Sequence, residues 1–237
     1  MKELKFIHIT KTAGTSIEEI GRENNIFFGR YHTEYGGWHI FFKYKPTDFK
    51  LKYDWFLVVR NPYDRLVSEF HCKWGGVGNM ACKYNKEGFN NLLRQKIMKR
   101  QPMGDHYSEQ YKYLDTNPKI KIHILKYENL ESDFNKLMDE YELPLRLTKE
   151  LNKNKKHFDI TDLSNENIKL INHIYKKDFE KFNYPMISHI EKCSRNGCEF
   201  VKHEDPKNNG GTHCCNFCRT KGLGIHGVMC NKLPFKP

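Results

Sequence analysis

Apolar and polar positions alternate over the first strand-like run, Lys5-Phe6-Ile7-His8-Ile9-Thr10. The alternation stops at a small, hydroxyl-rich stretch, Lys11-Thr12-Ala13-Gly14-Thr15-Ser16, and Ile17 and Ile20 then follow at helical spacing. The pattern predicts a strand, a loop and a helix over about residues 15–25. Such a turn aims backbone N–H groups at whatever lies above the helix N-terminus, where the macrodipole adds roughly half a positive charge. Its default guest is a phosphate or a sulfate. In that reading Gly14 lets the backbone approach the anion, Thr15 and Ser16 donate hydroxyls, and Lys11 supplies a full charge. The bland alternative is an ordinary turn with a Thr or Ser cap. The stretch is not a Walker A loop, because its lysine precedes the glycine instead of following it.

A second strong pattern spans residues 54–70. Trp55-Phe56-Leu57-Val58-Val59 is an unbroken apolar run, as in a strand buried on both faces. Arg60 and Asn61 follow, and Pro62 suits the first turn of a helix that runs toward Trp74. Arg60 therefore stands at the carboxyl end of a central strand, where open α/β sheets bind ligands. Ser68, two turns into the helix, can face the same crevice. The plainer roles are an ion pair of Arg60 with Asp64 and a buried hydroxyl at Ser68.

The remaining pattern predicts a short strand at 26–28, a short strand or turn at about 39–42, and a polar, basic stretch at 46–52. It predicts helices at 87–100, 107–114, 130–141 and 165–182, and a strand at 120–126. Alternating strands and helices indicate an α/β domain with a mainly parallel sheet flanked by helices. Residues 152–157 read as a basic loop.

The 237 residues suffice for one well-buried domain and an appendage. A net charge of +11 favours anionic partners such as an acidic polysaccharide, nucleic acid or a phosphorylated small molecule. No apolar run is long enough to span a membrane. The chain starts on a strand without a signal-peptide core, which places it in the cytoplasm as given, or in the Golgi lumen if an N-terminal anchor has been trimmed away. Of eight cysteines, only Cys72 and Cys82 lie before residue 190. The others crowd the end of the chain and mark a separate module over 188–237, after a main domain over 1–187.

Taken together, these stretches resemble the PAPS-dependent sulfotransferases, and most closely the glycan branch of the heparan 2-O and 6-O type. Lys11 to Ser16 is similar to that family's loop for the 5′-phosphosulfate. Arg60-Asn61-Pro62-Tyr63-Asp64-Arg65-Leu66-Val67-Ser68 is similar to its 3′-phosphate motif, with Asn61 where Asp or His is more usual. Tyr127-Glu128-Asn129-Leu130 and residues 175–184 resemble its later landmarks. The resemblance covers roughly residues 4–185 and implies a P-loop-kinase-like fold with no metal at the reaction centre. It implies that Lys11 stabilises the leaving phosphate oxygen and that Thr12, Ala13, Gly14, Thr15 and Ser16 bind the same group. Arg60 and Ser68 would hold the 3′-phosphate, with Lys155 or Lys156 as a further contact. Sulfuryl transfer asks mainly for positioning and charge stabilisation, so the layout suits the chemistry. In the glycan branch a histidine before the arginine strand takes the acceptor proton. His39, in Gly37-Trp38-His39, holds that place, with His32 and Glu34 as alternatives. His106 lies in a segment that can border the acceptor cleft, and His8 reads as core. The implied reaction moves a sulfuryl group from PAPS to a hydroxyl, most readily of a carbohydrate, leaving PAP.

In the tail, Cys193, Cys198, Cys215, Cys218, His226 and Cys230 have spacings suited to structural zinc, with His203, His213 and Cys214 in reserve. Disulfides are the alternative if the protein works in an oxidising lumen. Two rival functions stand beside sulfotransfer: a nucleotide or small-molecule kinase of similar fold, and a zinc-containing nucleic-acid-binding protein. The missing Walker lysine opposes the first, and the modest charge of the tail opposes the second.

Overall fold

The computed structural model describes residues 2–29, 39, 41–101, 104, 106–147, 157–187, 193–198, 200, 202, 212–221, 226 and 230. His32, Glu34, Lys155, Lys156 and His203 lie outside them.

Three strands form one parallel sheet in the order β1 (Leu4–Ile7), β2 (Asp54–Val59), β3 (Ile122–Lys126). Parallel neighbours require crossover connections, and helices supply them. The helices are α1 (Gly14–Glu23), α2 (Thr47–Lys52), α3 (Pro62–Phe70), α4 (Lys86–Met98), α5 (Leu130–Glu140), α6 (Asn165–Ile174), α7 (Lys176–Phe182) and, in the tail, α8 (Asn216–Lys221). The expected α/β body of a parallel sheet flanked by helices is present.

The unbroken apolar run of β2 is explained by burial on both faces. Phe56 and Val58 pack with Leu4, Phe6, Ile17 and the α5 residues Phe134 and Met138. Trp55, Leu57 and Val59 pack on the opposite side with Ile7, Ile9, Phe42 and Tyr113. Burying each such side chain contributes about 1.5–3 kcal/mol. A third apolar cluster joins α3 to α4, α6 and α7 through Leu66, Phe70, Phe89, Ile168 and Phe179. Helix α3 thus lies inside the protein, with even Arg65 and Glu69 fully buried.

Four expectations change. Residues 26–28 form no strand, although Phe28 lends its carbonyl to the Phe6 N–H at 2.8 Å. The polar stretch at 46–52 is largely helical, because Lys50 turns inward onto Asp115 at 2.5 Å. The helix expected at 107–114 shrinks to one 3-10 turn, Gln110–Tyr113. The long helix expected at 165–182 breaks at Tyr175 into α6 and α7. The last two changes meet at one contact. Asp178 accepts the backbone N–H groups of Gln110 and Tyr111, each at 2.8 Å, and the Tyr175 hydroxyl donates to the Tyr107 carbonyl at 2.5 Å. These bonds take up the Gln110 and Tyr111 backbone donors that a helix over 107–114 would have used internally.

Candidate active site

The carboxyl ends of all three strands lie along one edge of the sheet, because the strands are parallel and in register. Ile7 pairs with Leu57, and Val59 pairs with Lys126. The segments that leave this edge are Lys11 to Ser16 after β1, Arg60 and Asn61 after β2, and Tyr127 and Glu128 after β3.

The first of these segments is strained. Lys11 and Ala13 both adopt left-handed backbone, with φ of 59° and 67°. Each costs about 1–3 kcal/mol for a residue bearing a Cβ and persists only where the surroundings enforce it. Buried Thr12 pins the turn by donating to the Ile9 carbonyl at 2.9 Å. Helix α1 then begins without a side-chain cap and without an acidic residue in its first turn. The first N–H groups of a helix have no partner inside it, so those of Gly14, Thr15 and Ser16 point outward at its positive end. Gly14 leaves room for the His8 ring: a Cβ would fall 2.1 Å from His8 Nε2 and force the imidazole to move.

Arg60 is 9 % exposed, and its guanidinium carbon lies 4.0 Å from the centre of the Tyr127 ring. Its Nη1 donates to the Lys11 carbonyl at 3.3 Å, which ties the β2 end to the β1 loop. Gln110 fixes the Arg60 backbone from both sides, accepting its N–H at 2.9 Å and donating to its carbonyl at 2.8 Å. Glu128 accepts the Asn61 N–H at 2.9 Å and the Tyr184 hydroxyl at 2.7 Å. Asn61 caps α3 by accepting the Tyr63 N–H, and Pro62 starts the helix. An N-cap needs only a short side-chain acceptor, so Asn61 does here what an Asp would do.

Ser68 is buried on α3, and its hydroxyl has no hydrogen-bond partner among the described residues. Three residues further on, His71 Nδ1 donates to the Val67 carbonyl at 2.8 Å. Its Nε2 accepts the N–H groups of His157 at 3.0 Å and Phe158 at 3.2 Å. The chain that follows the basic stretch is therefore fastened to the end of the helix that carries Ser68.

Histidines form the other part of the edge. The rings of His8 and His39 are 5.1 Å apart, and those of His39 and His106 are also 5.1 Å apart. His39 Nδ1 lies 3.2 Å from the His8 carbonyl, which can only accept, so Nδ1 carries the proton and a neutral ring keeps its lone pair on Nε2. Burial lowers the His39 pKa below the ordinary imidazole value, and the positive charge of His106 adds to that. His106 moves the other way, raised to about 9 by hydrogen bonds to Cys72 and then to Glu69, whose Oε1 is 2.7 Å from Nδ1. The Cys72 thiol is held below its usual value. Burial pushes it up, but the His106 hydrogen bond and backbone donors outweigh that. At neutral pH the pair of histidines thus comprises one neutral ring and one cationic ring.

Arg65 locks these parts together. Fully buried, it donates to Thr10 Oγ1 and the His106 carbonyl, each at 3.2 Å, and to the Ser108 carbonyl at 2.5 Å. Thr10 precedes the strained loop, so the loop and the histidine edge share one guanidinium.

A family model described as "Sulfotransferase family" matches residues 2–185. The chain belongs to the sulfotransferase family. No curated protein and no solved structure matches it. Its chemistry is therefore transfer of a sulfuryl group to an acceptor, and the kinase and nucleic-acid readings lose their ground.

Sequence reasoning missed the fully buried Arg65 and Glu69 and the half-buried Cys72 of this sulfotransferase. Arg65 and Glu69 carry one signal. They stand four residues apart among the apolar positions of α3, where charges are not expected unless they are paired or hydrogen-bonded. The tail cysteines expected to bind metal come together, with Cys214 among them, while His213 belongs to neither cluster. No helix among the described residues is long and apolar enough to cross a membrane.

Proposed function

We propose that this sulfotransferase uses PAPS as donor and sulfates a hydroxyl of a carbohydrate. The observation that carries the donor reading is the Arg60 guanidinium, stacked on Tyr127 and bonded to the Lys11 carbonyl. It sets one cationic clamp beside a second, and a nucleotide bearing both a 5′-phosphosulfate and a 3′-phosphate needs two. The protein's groups fit that donor. The strained loop and the uncapped α1 N-terminus suit the 5′ end, and Arg60 with the Ser68 hydroxyl suits the 3′-phosphate.

In this reading the N–H groups of Gly14, Thr15 and Ser16, with the hydroxyls of the loop, hold the sulfonated phosphate. His39 Nε2 takes the acceptor proton as the acceptor oxygen bonds to sulfur. The bond between sulfur and the bridging oxygen breaks, and Lys11 offsets the charge left on that oxygen. His106 is a cation at neutral pH and cannot be the base. It supplies positive charge beside His39, which suits an acceptor that is itself anionic, and the +11 net charge points the same way.

Arg60→Ala should weaken PAP binding between several-fold and about a hundredfold, through loss of a charge-assisted phosphate contact. Calorimetry showing unchanged affinity in a folded variant would remove Arg60 from the site. The acceptor is tested by mass spectrometry of products from PAPS and a mixed panel of neutral glycans, anionic glycans, tyrosyl peptides and small alcohols. The proposal predicts sulfated glycan. Sulfation confined to peptides or small alcohols would contradict it.

A further inference from the structure

We propose that the tail holds two zinc ions in one thiolate-bridged cluster, with Cys214 shared between them. One ion takes Cys193, Cys198, Cys214 and Cys218; the other takes Cys214, Cys215, Cys230 and His226 through Nδ1. In each set the ligand atoms all lie within 4.8 Å of one another. Seven side chains thereby fill the eight positions of two tetrahedra because Cys214 counts in both.

The separations are those of tetrahedron edges. Two sulfurs on one zinc, with bonds of about 2.3 Å, stand about 3.8 Å apart, and a sulfur and an imidazole nitrogen stand about 3.6 Å apart. Cys193 Sγ and Cys218 Sγ are 3.7 Å apart, and Cys198 Sγ and Cys214 Sγ are also 3.7 Å apart. His226 Nδ1 lies 3.4 Å from Cys214 Sγ, 3.8 Å from Cys215 Sγ and 3.4 Å from Cys230 Sγ. A disulfide would hold its sulfurs at about 2.05 Å.

The local chain is shaped for this arrangement. Gly197, at φ 79°, turns the chain so that Cys198 returns beside Cys193. The Cys193 N–H bonds to the Phe200 carbonyl at 2.9 Å and the Cys198 N–H to the Arg195 carbonyl at 3.1 Å. Cys214 and Cys215 are adjacent, so one can bridge while the other serves the second ion alone. Cys215 stands just before α8, and its Sγ accepts the Cys218 N–H at 3.4 Å. The Phe200 ring meets the His226 ring edge-on at 4.7 Å and fixes its orientation.

Energetics favour the ions. All six of these cysteines are buried, and the only apolar side chain packed on them among the described residues is Phe200. Among the described residues this core is six thiols and one ring, and metal binding supplies folding energy that such a core does not. Each ion displaces the protons of its cysteine thiols, which pass to solvent. All positions are taken by protein, as in structural and not catalytic zinc sites.

The test uses the full chain purified without added metal. Elemental analysis should give two zinc ions per chain, and the cadmium-exchanged protein should show two NMR resonances coupled to each other through the shared sulfur. Cys214→Ser should abolish the coupling and release at least one ion, whereas Cys82→Ser, outside the tail, should keep both. The metal count and the coupling in the unsubstituted protein decide between the outcomes even if Cys214→Ser fails to fold. One ion per chain, two uncoupled resonances, or no metal together with a loss of free thiols would each overturn the proposal.

Discussion

Lys11→Ala should lower turnover by about a hundred- to a thousandfold, the loss expected when one preorganised donor to a developing charge is removed. Lys11 is assigned to the bridging oxygen, which gains charge as the sulfur bond breaks. Its effect is therefore larger in the transition state than in the ground state, and the loss falls on kcat more than on donor affinity. Two local features make the variant clean. Alanine retains a Cβ at the left-handed position, so the strain at φ 59° is unchanged. The Lys11 carbonyl that receives Arg60 is backbone and survives the substitution, so the second clamp stays in place. Rapid-quench turnover at saturating PAPS checks the prediction. A kcat within a few fold of the parent's would transfer the leaving-group role to another cation.

The second large effect belongs to His39. His39→Ala should reduce the rate by about a hundred- to ten-thousandfold while leaving PAP affinity nearly intact, because a general base acts on the acceptor and not on the donor. The backbone carbonyl of His39, which accepts the Tyr113 hydroxyl at 2.9 Å, is retained in the variant. The pH profile separates this role from a structural one. Burial lowers the His39 pKa, so the ring stays neutral through neutral pH. The parent rate should hold level through the ordinary imidazole range and fall only below it, as the base becomes protonated. His39→Ala should lose that acid limb. Near-normal turnover at saturating donor and acceptor would move the base elsewhere, with Glu34 and His32 the next residues to replace.

Much of this sheet edge was legible in the sequence because its signals are local. The strand before Lys11, the helix after it and the apolar run before Arg60 each depend on residues close in the chain. The structure turns three of these local patterns into one edge by parallel pairing, and Arg60 then meets Tyr127 through strand order. The histidine edge was less legible. His8 reads as core on alternation alone, yet its ring lies against Gly14 and beside His39. Nothing near His106 in sequence announces Glu69 or Cys72, which come from α3 and the turn after it. The burial of Asp178 was hidden for a related reason: it is an ordinary helix-surface residue by pattern, and only the backbone of Gln110 and Tyr111 gives it a buried task. In the tail, spacing singled out the cysteines and His226, but the grouping of Cys214 with both clusters depends on three-dimensional separations that spacing does not contain.

The proposed nucleotide site has two separate anion clamps. Calorimetry of the full chain with PAP, 5′-AMP and ATP tests it most directly. PAP should bind at least about tenfold more tightly than 5′-AMP, a difference of about 1.4 kcal/mol supplied by Arg60 and Ser68 at the 3′-phosphate, and ATP should bind more weakly than PAP. Equal affinity for PAP and 5′-AMP, or tighter binding of ATP, would contradict it.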